Sequence, residues 1–422
     1  MKKLASSVIV IVFLLITITS VENWSTISFA PTLTFYLIRT FLFTLPFLWA
    51  FTVIKNPFNE PKINPVILFL GLIIITGIRS FFIPSNLDQW TSVLTFFPAM
   101  LSFISVYYLD YPYLFKKINY YWFRIAPLLC LIWVPFMSST GEAVGYFLPL
   151  LLLHLLFISI IPKKSKWILI AITFIIILVC YKEVARSHVL KFGIALLFGI
   201  SLYFKSAWFY IKAIKLGRRF FLLTPIVLFL LGVTNIFNVF RMDEYISGDF
   251  TFQRSNTYGG DQREVSLLDD TRTFLYEESI LSAIKNKYVL FGRTFARGYD
   301  SNWQARRSER AGKIVTTDVV DRISEVAIIN IFTWMGLVGV CLYFWVFIKA
   351  SSLAIYNSNN SYIKIVGLYL TFRWMYGWIE DFQRLDISTL TLWMLLAICF
   401  SKSLRNLNNH QISQFMRTIF VR

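Results

Sequence analysis

The sequence predicts an all-α polytopic membrane protein of about twelve transmembrane helices, with both termini cytoplasmic and one large outward-facing loop. Three observations carry that prediction: a composition suited to lipid, apolar runs recurring at bilayer length, and an alternation of charge between successive turns. Hydrophobic residues make up 57% of the chain and charged residues 15%, with a mean hydropathy of +0.62. Soluble domains keep their apolar fraction nearer half, so the solvent for most of this chain is lipid.

A bilayer core takes about 20 apolar residues per helix, somewhat fewer in short spans. Such runs fall near 4–20, 33–54, 65–83, 91–109, 121–137, 144–161, 167–181, 189–204, 220–240, 326–348, 362–380 and 387–401. The first has the basic-then-apolar look of a signal peptide, but 16–24 offers no small-residue cleavage site, so it reads as a retained helix. The chain thus divides into an N-terminal bundle of about nine helices over 1–240, a polar loop over 241–325, and 326–422 with about three helices and a basic tail.

Short cytoplasmic turns collect Lys and Arg. With Lys2 and Lys3 inside, the turns holding Lys55/Lys62, Lys116/Lys117, Lys163/Lys164/Lys166, Lys205/Lys212/Lys215/Arg218/Arg219, Lys349 and Lys402/Arg405 are inside as well. The opposite turns carry Glu22, Asp88, Glu142 and the group Glu380, Asp381, Arg384 and Asp386. The net charge of +18 is spread among apolar runs, which excludes a compact nucleic-acid-binding domain and suits anionic lipid. Cys130, Cys180, Cys341 and Cys399 lie within apolar runs without paired spacing, so neither a disulfide framework nor a zinc site is indicated.

Within the loop, Asp269 or Asp270 is placed to cap a helix over about 271–288, with Leu275, Leu281, Ile284 and Tyr288 at helical spacing and Gly292 as its stop. Gly259-Gly260 and the stretch 306–313 read as irregular. The loop favours arginine (Arg241, Arg254, Arg263, Arg272, Arg293, Arg297, Arg306, Arg307, Arg310, Arg322) over lysine (Lys285, Lys287, Lys313). A guanidinium fork donates two hydrogen bonds to a phosphate and keeps its charge. Any one of these arginines is more often a solvated surface group; the set is harder to dismiss.

Arg39, Arg79 and Arg373 fall inside predicted helices near their outer ends, where charge marks function unless the side chain snorkels to the interface. Lys182-Glu183-Val184-Ala185-Arg186-Ser187-His188 is a short outward turn that lines the mouth of the bundle. His188 there is a candidate acid or base, His154 reads as a core residue, and His410 as part of the tail. No phosphate loop, nucleotide fingerprint, HExxH or Gly-x-Ser-x-Gly elbow occurs, so the energy for a reaction must arrive with its substrate.

Three stretches resemble the bacterial O-antigen polymerase and O-antigen ligase superfamily. The first is Glu183-Val184-Ala185-Arg186-Ser187-His188 leading into an apolar helix. The second is Asp270-Thr271-Arg272-Thr273-Phe274-Leu275-Tyr276, followed by Leu290-Phe291-Gly292-Arg293. The third runs from Glu325 into Trp334-Met335-Gly336-Leu337-Val338-Gly339, similar to the helix by which family members return to the membrane after the loop. Ligases place a His-Asn pair at its start; Glu325-Val326 stands there instead, which weighs against a ligase more than against a polymerase.

The resemblance implies a multi-pass protein of the bacterial inner membrane with a periplasmic loop. Its partners would be the lipid bilayer, an undecaprenyl-diphosphate-linked oligosaccharide as donor and another as acceptor, and a chain-length regulator; no nucleic acid, metal or cofactor is implied. On that footing Arg186 and Arg272 hold the diphosphate, with Arg39, Arg241, Arg373, Lys182, Arg293 and Arg297 assisting. Glu325, at the bilayer edge where desolvation favours its neutral form, is the first base candidate, with Glu183 or His188 second. A ligase moving finished polymer onto lipid A core, and a lipid-glycan transporter, are the alternatives.

Overall fold

The computed structural model describes residues 1–21, 25, 33–54, 64–137, 139–182, 185–206, 208–241, 244–245, 251–255, 262–266, 272–302, 320–380 and 384–420. The chain is overwhelmingly helical, and helix covers each of the apolar runs. The helices are α1 (Lys2–Thr19), α2 (Leu33–Val53), α3 (Pro65–Ser80), α4 (Leu87–Leu101), α5 (Pro112–Trp133), α6 (Thr140–Phe147), α7 (Leu151–Leu156), α8 (Lys163–Lys182), α9 (Arg186–Ser201) and α10 (Tyr210–Val233). Then come β1 (Thr251–Ser255), β2 (Gln262–Ser266), α11 (Thr273–Lys285), β3 (Tyr299–Ser301), β4 (Val320–Arg322), α12 (Ala327–Tyr356), α13 (Ser361–Tyr376), α14 (Ile387–Phe400), α15 (Lys402–Asn406) and α16 (Asn409–Phe420).

Among the described residues six helices are long and apolar enough to cross a membrane: α1, α4 and α9 with their 3-10 extensions, α8, α10 and α12. Apolar stretches in α2, α3 and α14 are shorter. The run expected near 144–161 is not one span but the two short helices α6 and α7. Pro149 lies between them; it supplies no N–H and pushes Leu148 out of helical geometry, to φ −114° and ψ 25°.

Helix starts follow the capping rule. Asn64 accepts from the Val66 N–H (3.0 Å), Asn86 from Gln89 (2.9 Å), Asn360 from Ile363 (2.8 Å) and Asp386 from Thr389 (2.7 Å). The core sits where α12, α13, α14 and α3 meet. Every residue of α14 is buried, whereas α8 and α10 turn most of their apolar surface outward, as helices bathed in lipid do.

Cations and aromatic rings meet at one end of the bundle. Lys166 lies over Tyr203, Lys205 over Tyr362, Lys215 and Arg218 over Tyr356, and Lys2 over Tyr111, with cation-to-centroid distances between 5.0 and 6.0 Å. α16 closes the same end, stacking Phe415 on Phe115 and donating from Arg417 to the Ile160 carbonyl. Both ends of the described chain and several of the lysine-bearing turns therefore gather on one face.

The described part of the loop holds two short strand pairs and a helix. β1 pairs antiparallel with β2, and β3 with β4. The expected helix is shorter at both ends: α11 begins at Thr273 and stops at Lys285, with Arg272 at its N-cap position. Asp269, Asp270, Gly259-Gly260 and 306–313 lie outside the described residues.

Gly292 has a different job from the helix stop expected of it. At Gly336 the apolar run of α12 breaks, with φ 66° and ψ −166°. The loop segment after α11 fills the break: Leu337 N–H donates to Val289 (2.8 Å) and Val338 N–H to Leu290 (3.2 Å). Arg293 and Thr294 N–H groups donate in turn to Thr333 (2.7 Å) and Trp334 (3.1 Å). Gly292, at φ 68°, and Gly336 each face the other strand's backbone with no room for a Cβ. A broken helix at membrane depth leaves backbone groups that lipid cannot satisfy, and this docked segment satisfies them.

Candidate functional site

The structure sorts the predicted site residues into separate clusters. The first joins the loop to the membrane helices. Arg272 Nη1 is ion-paired with Glu325 Oε1; the guanidinium is mostly buried (18% exposed) and the carboxylate half exposed (51%). The expected state of Glu325 was a desolvated carboxyl. Instead Glu325 holds the arginine across the loop and keeps contact with water.

Both partners are anchored on rigid elements. Thr273 accepts from Asn238 beyond α10 (2.9 Å), and the Tyr276 hydroxyl donates to the Trp378 carbonyl. Burial pushes the Tyr276 phenol up, so it remains a donor. On the other side, Asn330 clasps Ser324 through both its amide atoms (2.9 and 2.7 Å). The first N–H groups of α12 find carbonyls past α13, Ala327 on Glu380 (3.3 Å) and Ile328 on Gly377 (3.1 Å). Leu275, Tyr299, Val326 and Ile329 form a small apolar core beneath the pair. Arg241 lies near Asn238 but is exposed, 3.5 Å from Glu244.

A second cluster braces the loop. Arg293 donates to Asp300 (2.5 Å) and to the Gly298 carbonyl (3.1 Å), while Asn286 donates to the other oxygen of Asp300 (2.8 Å). Partial burial alone would raise the Asp300 carboxyl, but the donors Arg293 and Asn286 and the charges of Arg293 and Arg297 outweigh it and hold it below 3.8. Arg293 and Arg297 are thus engaged with Asp300, on the segment that enters the break in α12. Arg79 donates to the Phe291 carbonyl (3.2 Å) of that segment. Beside it, Arg79, Ile83 and residues 286–293 line an open depression of about 560 Å³.

The third cluster lies inside the bundle, and of its members only His188 was expected as a site residue. His188 Nε2 is 3.3 Å from Glu142 Oε2, and Tyr146 meets the imidazole edge-on at 4.7 Å. One turn further along α9, the ammonium of Lys191 lies over the rings of Tyr146 (5.8 Å) and Tyr376 (5.1 Å). Tyr376 donates to Glu380 (3.0 Å). His188, Lys191 and Arg373 are all buried, at 2%, 3% and 2% exposure.

Sequence reasoning read Glu142 and Glu380 only as markers of sidedness and passed over Lys191, Tyr146 and Tyr376. The signal was present: Lys191 falls inside the apolar run assigned to 189–204, where a charge is costly. Arg186 opens α9 and Lys182 ends α8, both exposed; Glu183 between them lies outside the described residues. Arg39 donates to the Leu385 carbonyl (3.2 Å), just before the start of α14.

Chemically, the first cluster offers a fixed, partly buried cation at a water-accessible seam, and the third a carboxylate backed by an imidazole and an ammonium. Among the described residues no group of three or more His, Cys, Asp or Glu side chains stands close enough to hold a metal ion. Comparison with protein-family models, with curated proteins and with solved structures finds no match to this chain.

Proposed function

We propose that this chain is a polymerase of the bacterial inner membrane that joins undecaprenyl-diphosphate-linked oligosaccharide repeat units into a polysaccharide. It does so by metal-independent glycosyl transfer at the outer face. The observation that carries this reading is the Arg272–Glu325 pair, a guanidinium fixed where the loop helix meets the start of a membrane helix. A diphosphate leaving group carries roughly two negative charges, and preorganised cations stabilise its departure; removing one such donor typically costs about a hundredfold or more in rate. Arg272 is that donor, Glu325 fixes its direction, and the exposed Arg186 and Lys182 are further cations for the substrate. The lysine-rich end of the bundle is then cytoplasmic and the loop periplasmic.

The reading is tested with the protein purified into vesicles and supplied with lipid-linked repeat units extracted from cells that lack it. Wild type lengthens the glycan in the absence of any flipping partner, and cells lacking the protein carry single repeat units on their acceptor. Long polymer stranded on its carrier in those cells would instead make the protein a ligase, and unlengthened glycan that only changes leaflet would make it a transporter.

A further inference from the structure

Glu325 is paired with Arg272 through one of its carboxylate oxygens. We infer that Glu142 is the general base of the transfer, held by His188, in a carboxylate–imidazole site on α6 and α9. The inference rests on the polymerase reading above.

The arrangement distinguishes the two side chains. Glu142 is 31% exposed, whereas His188 is buried beside it at 3.3 Å. The carboxylate is the group a sugar hydroxyl can touch; the histidine is a positioning residue. Its ring is fixed from two sides, by the edge-on Tyr146 and by Gly145, whose Cα faces the imidazole so closely that a Cβ has no space. The backbone that presents Glu142 is held as well, through the Cys180 thiol donating to the Gly141 carbonyl at 3.2 Å.

The charges facing this pair come from three helices and the turn beyond them. Tyr146 lies on α6, Lys191 on α9 and Tyr376 on α13; Glu380 follows α13, and Arg384 and Asp386 precede α14 and act on Tyr146. A lysine buried between two tyrosine rings supplies fixed positive charge that compensates Glu142 and Glu380 where water is scarce. Charge clusters of this kind inside a membrane bundle mark function by default.

Position supports the assignment. Tyr376 and Glu380, which face the His188 and Lys191 cluster, belong to the short stretch whose Gly377, Trp378 and Glu380 carbonyls anchor α12 and Tyr276. The inference requires one substrate, lying across that stretch, to meet both Arg272 and Glu142. In the step, the acceptor hydroxyl oxygen bonds to the anomeric carbon of the donor as the bond from that carbon to phosphate oxygen breaks. The electron pair departs with undecaprenyl diphosphate beside Arg272, and the hydroxyl proton passes to Glu142 and then to water.

The experiment compares Glu142→Gln, Glu142→Asp and His188→Gln with wild type in the vesicle assay, using the same extracted lipid-linked units, with each variant's melting temperature measured in detergent. Expected for Glu142→Gln is a fall in kcat of about a hundredfold or more, with KM unchanged and melting unchanged. Glu142→Asp recovers part of the rate, and His188→Gln shifts the acid limb of the kcat profile against pH. Equal lengthening by Glu142→Gln and wild type would overturn the inference while leaving the polymerase reading intact. So would an aspartate variant as slow as the glutamine one with both melting early, since that pattern belongs to a structural role. A wild type that lengthens nothing overturns the reading and the inference together.

Discussion

Replacing Gly336 by alanine should unseat the loop from the membrane helices. An alanine at φ 66° and ψ −166° occupies a region open essentially to glycine alone, at a cost of about 1–3 kcal/mol. Its Cβ would also run into the backbone of Leu290 and Phe291. Moving that segment away frees the Leu337 and Val338 N–H groups from Val289 and Leu290, and each buried backbone group left unsatisfied costs about 1–3 kcal/mol. The sum is on the order of 3–9 kcal/mol, comparable with the whole stability of an ordinary domain. Thermal melting in detergent together with limited proteolysis reads the effect: the variant melts early, and residues 286–302 become cleavable before the bundle does. Gly71→Ala is the control, because that glycine lies inside α3 with open space where its Cβ would go. A Gly336→Ala protein that melts with wild type and resists protease equally would refute the account of the break.

Three further outcomes follow from the same contacts. Arg272→Gln lowers chain lengthening in vesicles by about a hundredfold, Arg272→Lys restores little because an ammonium lacks the planar fork, and Glu325→Gln gives an intermediate loss; equal rates for all would dismiss the pair. The Asp300 carboxyl is held below 3.8 when folded, so its stabilisation of the loop is fully present above that value and lost as pH falls through the lower, folded one. Protease sensitivity at 286–302 should therefore rise on acidification in wild type, and Asp300→Asn should remove that rise. With the native cysteines replaced, a membrane-impermeant maleimide should label Lys287→Cys in intact spheroplasts and Asn408→Cys only after lysis; the reverse order would invert the proposed topology.

The helices were legible because lipid tolerates few interruptions, and a continuous apolar run states its own length. What the runs conceal is tertiary. From 326 to 348 the sequence reads as one span, and Gly336 and Gly339 look alike, since glycine is common in membrane helices. Only the approach of Leu290 and Phe291, far upstream, makes Gly336 the left-handed one. Arg272 was legible as one of the loop's arginines, but its pairing was not. Glu325 lies 53 residues away, and no local pattern reports a pairing at that range. Lys191 escaped notice for the opposite reason: averaging over an apolar run hid a single charge that burial makes the most informative residue in it.

The end of α13 ties together two clusters unrelated in sequence. A helix beginning at the membrane surface must find acceptors for its first N–H groups, and those of α12 are the carbonyls of Glu380 and Gly377. Tyr276 of α11 takes the carbonyl between them, at Trp378. The direction of Glu325, and with it the seat of Arg272, is consequently set by the stretch 376–380. That stretch also sends Tyr376 toward Lys191 and places Glu380 in the field of His188. A displacement of this one segment would therefore disturb both the seat of the guanidinium and the surroundings of the imidazole, so the link between the two clusters is a property of backbone hydrogen bonds in the core and not of the loop's surface.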